Sequence, residues 1–413
     1  MKVLVLNAGS STQKSCLYNL DGKTLPEHPP EAIWKGDIDW LATADHGLLT
    51  VKANGIRQEI PLTLQKNNDQ GMAILLNTLL SGETKVLEQL SEIDIVAHRV
   101  VHGGTDYTGS VVITPKVKET IRDLIILAPN HNPAHVAGIE AIEAVLGNVT
   151  QVAVFDTAFH TTIPPKASTY PIPYEWTQKG IRRYGFHGIS HQYCSERAAQ
   201  LLGKPLDSLK LINCHLGNGC SLAAIKNGKS IDTTMGFTPL EGLMMGTRSG
   251  SIDPAIVIYL MREYNFTTDQ LNDLLNKESG LKGVSGISGD LRAIFAAIDQ
   301  GNQRAQLAFD IYIHRLQSLI GSMLTSLGGL DALIFTAGVG ENAPLVREKV
   351  SAGLSFLGVE LDQAKNNAHP VDQDIATATS SVRILVIHTE EDWAIAKEAW
   401  NIYDQFQLTS AHF

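Results

Sequence analysis

Arginines lie close to glycines in three short segments. Arg99 lies among apolar residues in segment 97–104, and segment 182–191 holds two arginines together with His187 and His191. Arg248 lies in the glycine-flanked segment 244–250, where small neighbours let another molecule approach closely. A local cationic pocket of this kind can bind anionic small molecules even in a chain that is acidic overall. The three segments therefore predict an anion-binding site.

Each segment also has a purely structural interpretation. A salt bridge explains a lone arginine such as Arg99 equally well, and an exposed, solvated guanidinium is the ordinary state of a residue such as Arg248. His187 and His191 have the i, i+4 spacing that would pair them on a helix as metal ligands. No HExxH pattern or third ligand accompanies them, and the neighbouring glycines favour a loop, so zinc is the weaker interpretation.

Glycine-rich segments are predicted at strand ends, where backbone N–H groups can approach phosphate oxygens closely. They are residues 7–14, 215–219, 283–292 and 336–342. The first adds the hydroxyls of Ser10, Ser11 and Thr12 and the cation of Lys14; the chain contains no GxxxxGK[ST] motif. One such turn is weak evidence, since it could be a tight hairpin, but four predict a nucleotide site. Asp156, after a predicted strand, is either a helix cap or a catalytic carboxylate, and its strand-end position favours the site.

The elements that must position these residues alternate between strands and helices. Hydrophobic patterning predicts strands at residues 2–6, 15–20, 93–101, 151–155, 211–214, 221–225, 230–233, 332–335 and 383–387. A hairpin is predicted at residues 48–60, turning at Asn54-Gly55. Helical spacing occurs at residues 69–90 and 116–127, and a last helix is predicted to start at Glu391-Asp392.

The second half of the chain repeats the order of elements that opens the first. In each half a strand, a polar glycine turn, a second strand and an x-Gly-Lys hairpin follow one another, with the hairpins at residues 21–23 and 227–229. Coincidence is one explanation, because glycine turns are common. The alternative is two related halves, each built on a mixed sheet, whose glycine turns face the phosphates of one ligand.

Composition excludes several functional classes. The 413 residues are 44% hydrophobic and 18% charged, which suits a folded α/β chain of two or three domains. The formal charge of −10 argues against a general nucleic-acid binder. No apolar run reaches the ~20 residues that span a bilayer, and the start turns polar too early for a signal peptide. Four cysteines without a CxxC pair suit reduced thiols, so we expect a cytoplasmic enzyme.

The motifs, taken in order, resemble those of the acetate kinase family over nearly the whole chain. They are residues 7–14, 98–104, 155–160, 183–188, 215–219, 244–250, 290–292 and 338–342. The resemblance implies an α/β fold of two duplicated RNase H-like (actin-like ATPase) domains, with mixed central sheets flanked by helices and the active site in the interdomain cleft. It assigns residues 1–157 and 393–413 to the N-terminal domain and residues 158–392 to the nucleotide-binding and dimerisation domain. It also implies a homodimer, with no nucleic-acid or membrane partner.

The resemblance further implies a role for each matching residue. Asn7 and Glu391 would hold Mg²⁺, or Mn²⁺ in its place. Arg99 would bind the substrate carboxylate, Asp156 would act as the acid/base or orienting group, and His187 and Arg248 would stabilise the transition state. The acyl pocket would be formed by Val101, Asn130, Phe186 and Pro239. The ATP or ADP site would include Ser10, Thr12, Lys14, His215, Leu216, Gly217, Asn218, Gly219, Asp290, Leu291, Arg292, Gly338, Val339, Gly340, Glu341 and Asn342.

The implied reaction is reversible transfer of a phosphoryl group from ATP to acetate. Asn130 stands where the family usually has leucine, so propionate is an alternative substrate. Thr12 stands where the family usually has serine, and Ser251 where it usually has aspartate. The usual Thr-Asn-Glu-Glu is Thr389-Glu390-Glu391-Asp392 here, so Glu390 could compete with Glu391 for the metal. A remote alternative is an ATP-driven binding module like Hsp70, although the chain lacks a peptide-binding domain.

Overall fold

The chain folds into two compact units, which a computed structural model describes at residues 1–9, 12–20, 24–40, 47–62, 68–129 and 131–410. The first unit comprises Met1–Ala158 and Glu390–Phe413, and the second comprises Phe159–Thr389. The hairpin predicted at residues 21–23, together with Ser10, Ser11 and Asn130, lies outside the described residues. Among the described residues, no helix has both the length and the apolar character needed to cross a membrane.

The first unit is built on a mixed sheet covered by helices. Its strands are β1 (Lys2–Ala8), β2 (Thr12–Asn19), β3 (Trp34–Asp39), β4 (Gly47–Ala53), β5 (Ile56–Leu62), β6 (Ile95–Val100), β7 (Val111–Val112) and β8 (Thr150–Phe155), in the order β5-β4-β3-β2-β1-β6-β8-β7. Its helices are α1 (Asn68–Leu80), α2 (Pro115–Asp123), α3 (Asn132–Leu146) and α15 (Glu391–Ser410). Strands β1, β6 and β8 run parallel to one another.

Burial on both faces explains the apolar character of the central strands. Val3, Leu4 and Val5 of β1 are completely buried, as expected for a strand with helices on both sides of its sheet. The last helix, α15, contacts β1, β6 and β8. The edge strand β5 instead exposes charged Arg57 and Glu59, which discourages pairing with another chain.

The second unit has a smaller sheet and more helices. Its strands are β9 (Lys210–Leu216), β10 (Cys220–Lys226), β11 (Lys229–Thr233), β12 (Ala332–Thr336), β13 (Gln373–Asp374) and β14 (Arg383–Val386), in the order β11-β10-β9-β12-β14-β13. Its helices are α4 (Pro165–Ser168), α5 (Glu175–Gln178), α6 (Gly188–Leu202), α7 (Pro254–Glu263), α8 (Thr268–Lys277), α9 (Gly280–Ser285), α10 (Leu291–Asp299), α11 (Gln303–Leu327), α12 (Ala337–Asn342), α13 (Pro344–Ala352) and α14 (Gln363–Asn367).

The two sheets have the same topology at their centres. In each, an antiparallel meander of three strands (β1-β2-β3 and β9-β10-β11) is extended by two strands parallel to the first (β6 and β8, β12 and β14). A short antiparallel strand, β7 or β13, then closes each series. The repeat predicted from the sequence is therefore a structural duplication, with two mixed sheets flanked by helices.

Most of the predicted elements are confirmed, with differences that have local causes. The hairpin turns at Asn54 and Gly55, whose φ angles of 53° and 74° suit a tight two-residue turn. The helix predicted at residues 69–90 ends at Leu80, and Gly82 adopts a φ of 78° that cannot continue a helix. Strands β2 and β3 are antiparallel neighbours in the sheet, as β10 and β11 are in the second unit.

Candidate functional site

Three predicted site residues of the first unit meet at one edge of its sheet. Asn7 lies at the end of β1, Arg99 near the end of β6, and Asp156 directly after β8. These strands are parallel, so their carboxyl ends meet at the same edge, where α/β proteins bind ligands. Helix α15 begins at the predicted metal ligand Glu391, whose charge acts on Arg99. The structure thus brings Arg99 together with Asp156 and the predicted metal residues Asn7 and Glu391.

Arg99 and Asp156 form a largely buried ion pair. Arg99 Nε and Nη2 donate to Asp156 Oδ2 at 3.1 and 2.5 Å, and Arg99 Nη1 donates to Asn7 Oδ1 at 3.2 Å. The side chains of Arg99 and Asp156 are 16% and 3% exposed. Burial alone would lower the pKa of Arg99, but the charges of Asp156 and Glu391 outweigh it and raise that pKa above its usual value. Arg99 is therefore a fixed cation, and the carboxylate of Asp156 orients it.

Asp392 is a residue of this cluster that the sequence reasoning missed. Asn7 Nδ2 donates to Asp392 Oδ1 at 2.9 Å, and Cys16 Sγ donates to Asp392 Oδ2 at 3.5 Å. The predicted competitor was Glu390, yet Asp392 is the carboxylate that contacts Asn7. Its sequence signal is its place in the first turn of α15 directly after Glu391.

Lys14 lies on the same row of the sheet as Asn7. Asn7 faces Lys14 across the β1–β2 pair, and Lys14 faces Asp37 across the β2–β3 pair. The exposed side chain of Lys14 stabilises the charged form of Asp37, whose pKa is nevertheless raised by burial and by the charge of Asp392. Thr12 is exposed, and its carbonyl accepts from Gly9 N at 2.7 Å.

The polar groups of this edge suit a hard divalent cation. Asp37, Asp156, Glu391 and Asp392 provide carboxylate oxygens against the positive charges of Arg99 and Lys14. Mg²⁺ and Mn²⁺ prefer such oxygen ligands, and Mg²⁺ usually keeps water and substrate phosphates among them. Among the described residues, no three His, Cys, Asp or Glu side chains form a group that could hold a metal ion by themselves. The carboxylate oxygens of this edge are nevertheless of the ligand type that a hard cation prefers.

The second unit places His187 and Arg248 beside the glycine turn that joins β9 to β10. A Cβ atom added to Gly219 would lie 3.5 Å from His187 Nε2 and 3.6 Å from Arg248 Nη1. Arg248 Nη1 also donates to the carbonyl of Pro239 at 3.1 Å. Arg248 is partly buried, and burial lowers its pKa, so it is not the exposed, solvated arginine of the structural alternative. Two donors therefore flank a backbone that an anion can approach.

The segment before α6 holds His187 in an unusual backbone conformation. His187 has a φ of 58°, in the left-handed region that non-glycine residues seldom adopt and that clusters at functional sites. Gly185 has a φ of 79°, and a Cβ there would lie 2.6 Å from His160. The loop predicted for residues 187–191 is wrong, because α6 begins at Gly188 directly after these turns. The rings of His187 and His215 stack with centroids 4.1 Å apart.

Eight of the sixteen predicted nucleotide residues line one cavity of about 570 Å³ in the second unit. It is lined by Gly217, Asn218, Asp290, Leu291, Arg292, Phe295, Gly338, Val339, Asn342, Ala343, Pro344 and Leu345. This volume is typical of a small-molecule site. Sequence reasoning missed Phe295 and Leu345, which belong to α10 and α13 and line the cavity because of where those helices lie.

Two details of this cavity correct the sequence interpretation. The segment 283–292 does not follow a strand, because it contains the end of α9, the start of α10 and the residues that connect them. Asp290 caps α10 by accepting from Arg292 N at 2.8 Å. Residues 338–342 form the short helix α12 rather than an open turn. The carboxylate of Glu341 accepts a hydrogen bond from Thr389 N at 3.1 Å and lies 2.6 Å from His388 Nδ1, so its contacts are within the second unit.

The structure says less about the roles of the remaining predicted residues. Leu216 is completely buried and Gly340 is buried, so both contribute backbone rather than side chain. Of the acyl-pocket residues, Val101 lies in the first unit, and Phe186 and Pro239 lie in the second. The carbonyl of the buried Phe186 lies 3.0 Å from His160 Nε2, which fixes the backbone just before His187.

Fold and site together define a carboxyl-group phosphotransferase built on the duplicated actin-like ATPase fold. A family model described as the acetokinase family matches residues 2–397. An acetate kinase of Rippkaea orientalis is 70% identical over 398 residues, which cover 96% of this chain and 98% of that protein. The chain belongs to the acetokinase family.

Solved structures of related enzymes agree with this assignment. The crystal structure of Porphyromonas gingivalis acetate kinase is 40% identical, with a TM-score of 0.88, and the match covers 97% of this chain and 99% of that one. A propionate kinase from Francisella tularensis is 39% identical with a TM-score of 0.87 and the same coverage. The fold is thus shared by enzymes named for two different acyl substrates.

Proposed function

We propose that the protein transfers the terminal phosphoryl group of ATP to acetate, reversibly, giving ADP and acetyl phosphate. The observation that carries this proposal is the pairing of His187 and Arg248 at Gly219, in the unit whose 570 Å³ cavity is lined by eight of the predicted nucleotide residues. The family match over residues 2–397 supports it. That match also favours a transferase over an ATP-driven binding module.

The chemistry requires charge placement more than a base. A simple carboxylic acid titrates near pH ~4, so acetate is already ionised at neutral pH. The difficulty is the approach of one anion to another, which fixed positive charge overcomes. In the first unit Arg99 would bind the acetate carboxylate, while Asp156 holds the guanidinium in place. In the second unit Arg248 and His187 would contact the transferring phosphoryl group.

We propose that Mg²⁺, or Mn²⁺, is held by the carboxylates that begin α15 together with Asn7. When bound, the cation would neutralise charge on the nucleotide phosphates. The hydrogen bonds from Asn7 to Asp392 and from Arg99 to Asn7 keep these oxygens at the edge of the sheet. Lys14, one strand away, would contact the nucleotide together with Ser10 and Thr12.

Substitution of Glu391 by alanine is expected to raise the Mg²⁺ concentration needed for half-maximal activity about 10-fold or more. The reason is the loss of one carboxylate oxygen from a site that has few protein ligands. A Mg²⁺ titration of initial rates at saturating ATP and acetate measures this effect. The matched variants Asp392→Asn and Glu390→Ala show which of the three carboxylates binds the metal. If the Mg²⁺ titration curve is unaltered in Glu391→Ala but shifted in Glu390→Ala or in Asp392→Asn, the metal is assigned to Glu390 or to Asp392, respectively.

The acyl preference is tested by kcat/KM for acetate, propionate and butyrate, with trapping of the acyl phosphate as a hydroxamate. We expect acetate to be the best substrate. Because one methylene in a pocket is worth roughly 1–3 kcal/mol, the preference can be modest. Asn130→Leu, which restores the usual apolar residue, is expected to raise the acetate-to-propionate ratio up to about 10-fold. A higher kcat/KM for propionate in the unaltered chain would make it a propionate kinase, and no acyl phosphate from any acid would overturn the proposal.

We also propose a homodimer that forms through the second unit, whose helix α7 has an exposed apolar surface. Every residue of α7 is exposed or only partly buried, although the helix is rich in apolar side chains. Ile256, Ile258, Tyr259 and Met261 are each 42–55% exposed. An apolar surface of this kind suits burial against a second copy of the chain. We propose a cytoplasmic location, in keeping with the four cysteines, which form no disulfide bond with one another.

A further inference from the structure

Four side chains of the second unit form a continuous line of hydrogen bonds that ends beside Gly219. Asn213 Nδ2 lies 3.0 Å from His191 Nδ1, His191 Nε2 lies 2.7 Å from Ser221 Oγ, and Ser221 Oγ lies 2.9 Å from His187 Nδ1. Asn213, His191 and Ser221 are completely buried. They belong to the neighbouring strands β9 and β10 and to the first turn of α6, so rigid elements fix the line.

The amide of Asn213 sets the direction of every bond in this line. An amide NH₂ group can only donate, so His191 Nδ1 accepts and carries no proton. Burial, together with the charges of His160 and His215, lowers the pKa of His191 well below its usual value, so His191 is neutral near pH 7. Its single proton therefore lies on Nε2 and is donated to Ser221 Oγ. The hydroxyl of Ser221 is then left to donate to His187 Nδ1.

This direction determines which nitrogen of His187 is the donor. Because Nδ1 accepts, the proton of the neutral imidazole lies on Nε2. A Cβ atom added to Gly219 would lie 3.5 Å from both Nε2 and Cε1, so this edge of the ring lies at Gly219 beside Arg248. We propose that Asn213, His191 and Ser221 are positioning residues that hold His187 in its Nε2–H tautomer, so that a neutral imidazole donates a hydrogen bond to the phosphoryl group. The nature of that acceptor rests on the proposed function, whereas the tautomer itself does not.

The opposite orientation of the Asn213 amide would give the opposite result. In the present orientation Asn213 Oδ1 is buried without a hydrogen-bond partner among the described residues. A reversed amide would accept from a protonated His191 Nδ1, and each later bond would reverse in turn. His187 would then carry its proton on Nδ1 and present a lone pair to the phosphates, where it would repel them. The two arrangements are therefore distinguished by the tautomer of His187.

Nitrogen-15 NMR of the histidine rings in the full-length enzyme tests the proposal directly. Protonated and unprotonated ring nitrogens have separate chemical shifts, and the His187 signals are assigned by their loss in His187→Gln. We expect His187 and His191 both to carry the proton on Nε2 at neutral pH. A His187 proton on Nδ1, or on both nitrogens, would overturn the proposal without any variant having to fold.

Two substitutions then test whether the line transmits the preference. An Asp accepts a hydrogen bond from the neighbouring imidazole nitrogen, whereas an Asn NH₂ group donates one, so exchanging the two residues changes which tautomer is favoured. In the serine protease triad, an exchange of this kind lowers the rate by orders of magnitude. Asn213→Asp is therefore expected to move the proton of His191 and that of His187 to Nδ1, and to lower kcat at least about 10-fold with little change in KM for ATP. In the double variant Asn213→Asp with Ser221→Ala, the His187 signals should match those of Ser221→Ala alone.

The outcomes separate this proposal from the proposed function. The hydrogen-bonded line would be contradicted if Asn213→Asp changed the tautomer of His191 but not that of His187. It would also be contradicted if the tautomer of His187 still responded to residue 213 in the absence of the Ser221 hydroxyl. An unchanged kcat in Asn213→Asp despite a changed His187 tautomer would remove the imidazole donor from the reaction. A confirmed tautomer in a chain that forms no acyl phosphate would leave the positioning role intact and remove only the proposed substrate.

Discussion

Replacement of Arg248 by lysine is expected to lower kcat about 100-fold or more, with a smaller change in KM for ATP. One guanidinium nitrogen, Nη1, already contacts the Pro239 carbonyl at 3.1 Å. The planar group can still present a second nitrogen to a phosphoryl oxygen, which an ammonium ion on a flexible stem does less well. Because charge on these oxygens changes most in the transition state, the loss should fall on kcat. Steady-state kinetics at saturating Mg²⁺ measures it.

Arg304→Lys is the matched control for this experiment. Arg304 also lies in the second unit and donates its Nε to a backbone carbonyl, that of Val284, at 3.0 Å. The same change of guanidinium to ammonium there should leave kcat within a factor of about 2, as for an ordinary surface substitution. Unchanged turnover in Arg248→Lys would remove Arg248 from the mechanism. An equal loss in both variants would indicate that the second unit is generally perturbed.

The positions of the site residues at strand ends could be predicted because they depend on the course of the backbone. Asn7, Arg99 and Asp156 each follow or end an apolar strand, and the hydrophobic patterning was sufficient to locate those strands. The duplicated order of strands and turns likewise predicted the two mixed sheets. Such positions depend on main-chain topology, which local sequence patterns largely determine.

Residues whose roles depend on side-chain reach were harder to predict. The choice between Glu391 and Asp392 turns on which carboxylate extends to Asn7, and only the packing of α15 on the sheet shows that Asp392 makes this contact. The role of His191 was obscured because the glycines around it indicated a loop. Gly185 instead permits the strained turn before α6, and Gly188 begins that helix. Asn213 and Ser221, buried inside predicted strands, gave no signal of their own.

The segment 283–292 shows the limit of counting glycine turns. Its three glycines matched the strand-end pattern in composition, although two helices flank it. The capping of α10 by Asp290 is what delivers Leu291 and Arg292 to the cavity. A helix N-terminus and a strand-end turn can both present backbone N–H groups to phosphate. The prediction that this segment belongs to a nucleotide site therefore did not depend on the prediction that it follows a strand.

Substitution of Asp156 by asparagine is expected to lower the free energy of unfolding by about 3 kcal/mol, since the charge of Arg99 would lose its buried partner. The change preserves shape and removes only charge from a carboxylate that is 3% exposed. We also expect kcat to fall about 100-fold, because Arg99 would no longer be held toward the substrate. Urea unfolding followed by circular dichroism measures the stability, and the hydroxamate assay measures the rate. Glu140→Gln, which breaks the exposed pair with Arg122, is the matched control and should cost under about 1 kcal/mol.

The double variant Arg99→Met with Asp156→Asn separates the two effects. If the cost of Asp156→Asn arises from an uncompensated cation, removal of that cation should recover most of the lost stability, because replacement of both partners of a buried pair by neutral groups is often tolerated. Activity should not recover, since the group that binds the carboxylate would be absent. Additive losses of stability would show that Asp156 is held mainly by other contacts. Recovered activity would show that Arg99 does not bind the acceptor.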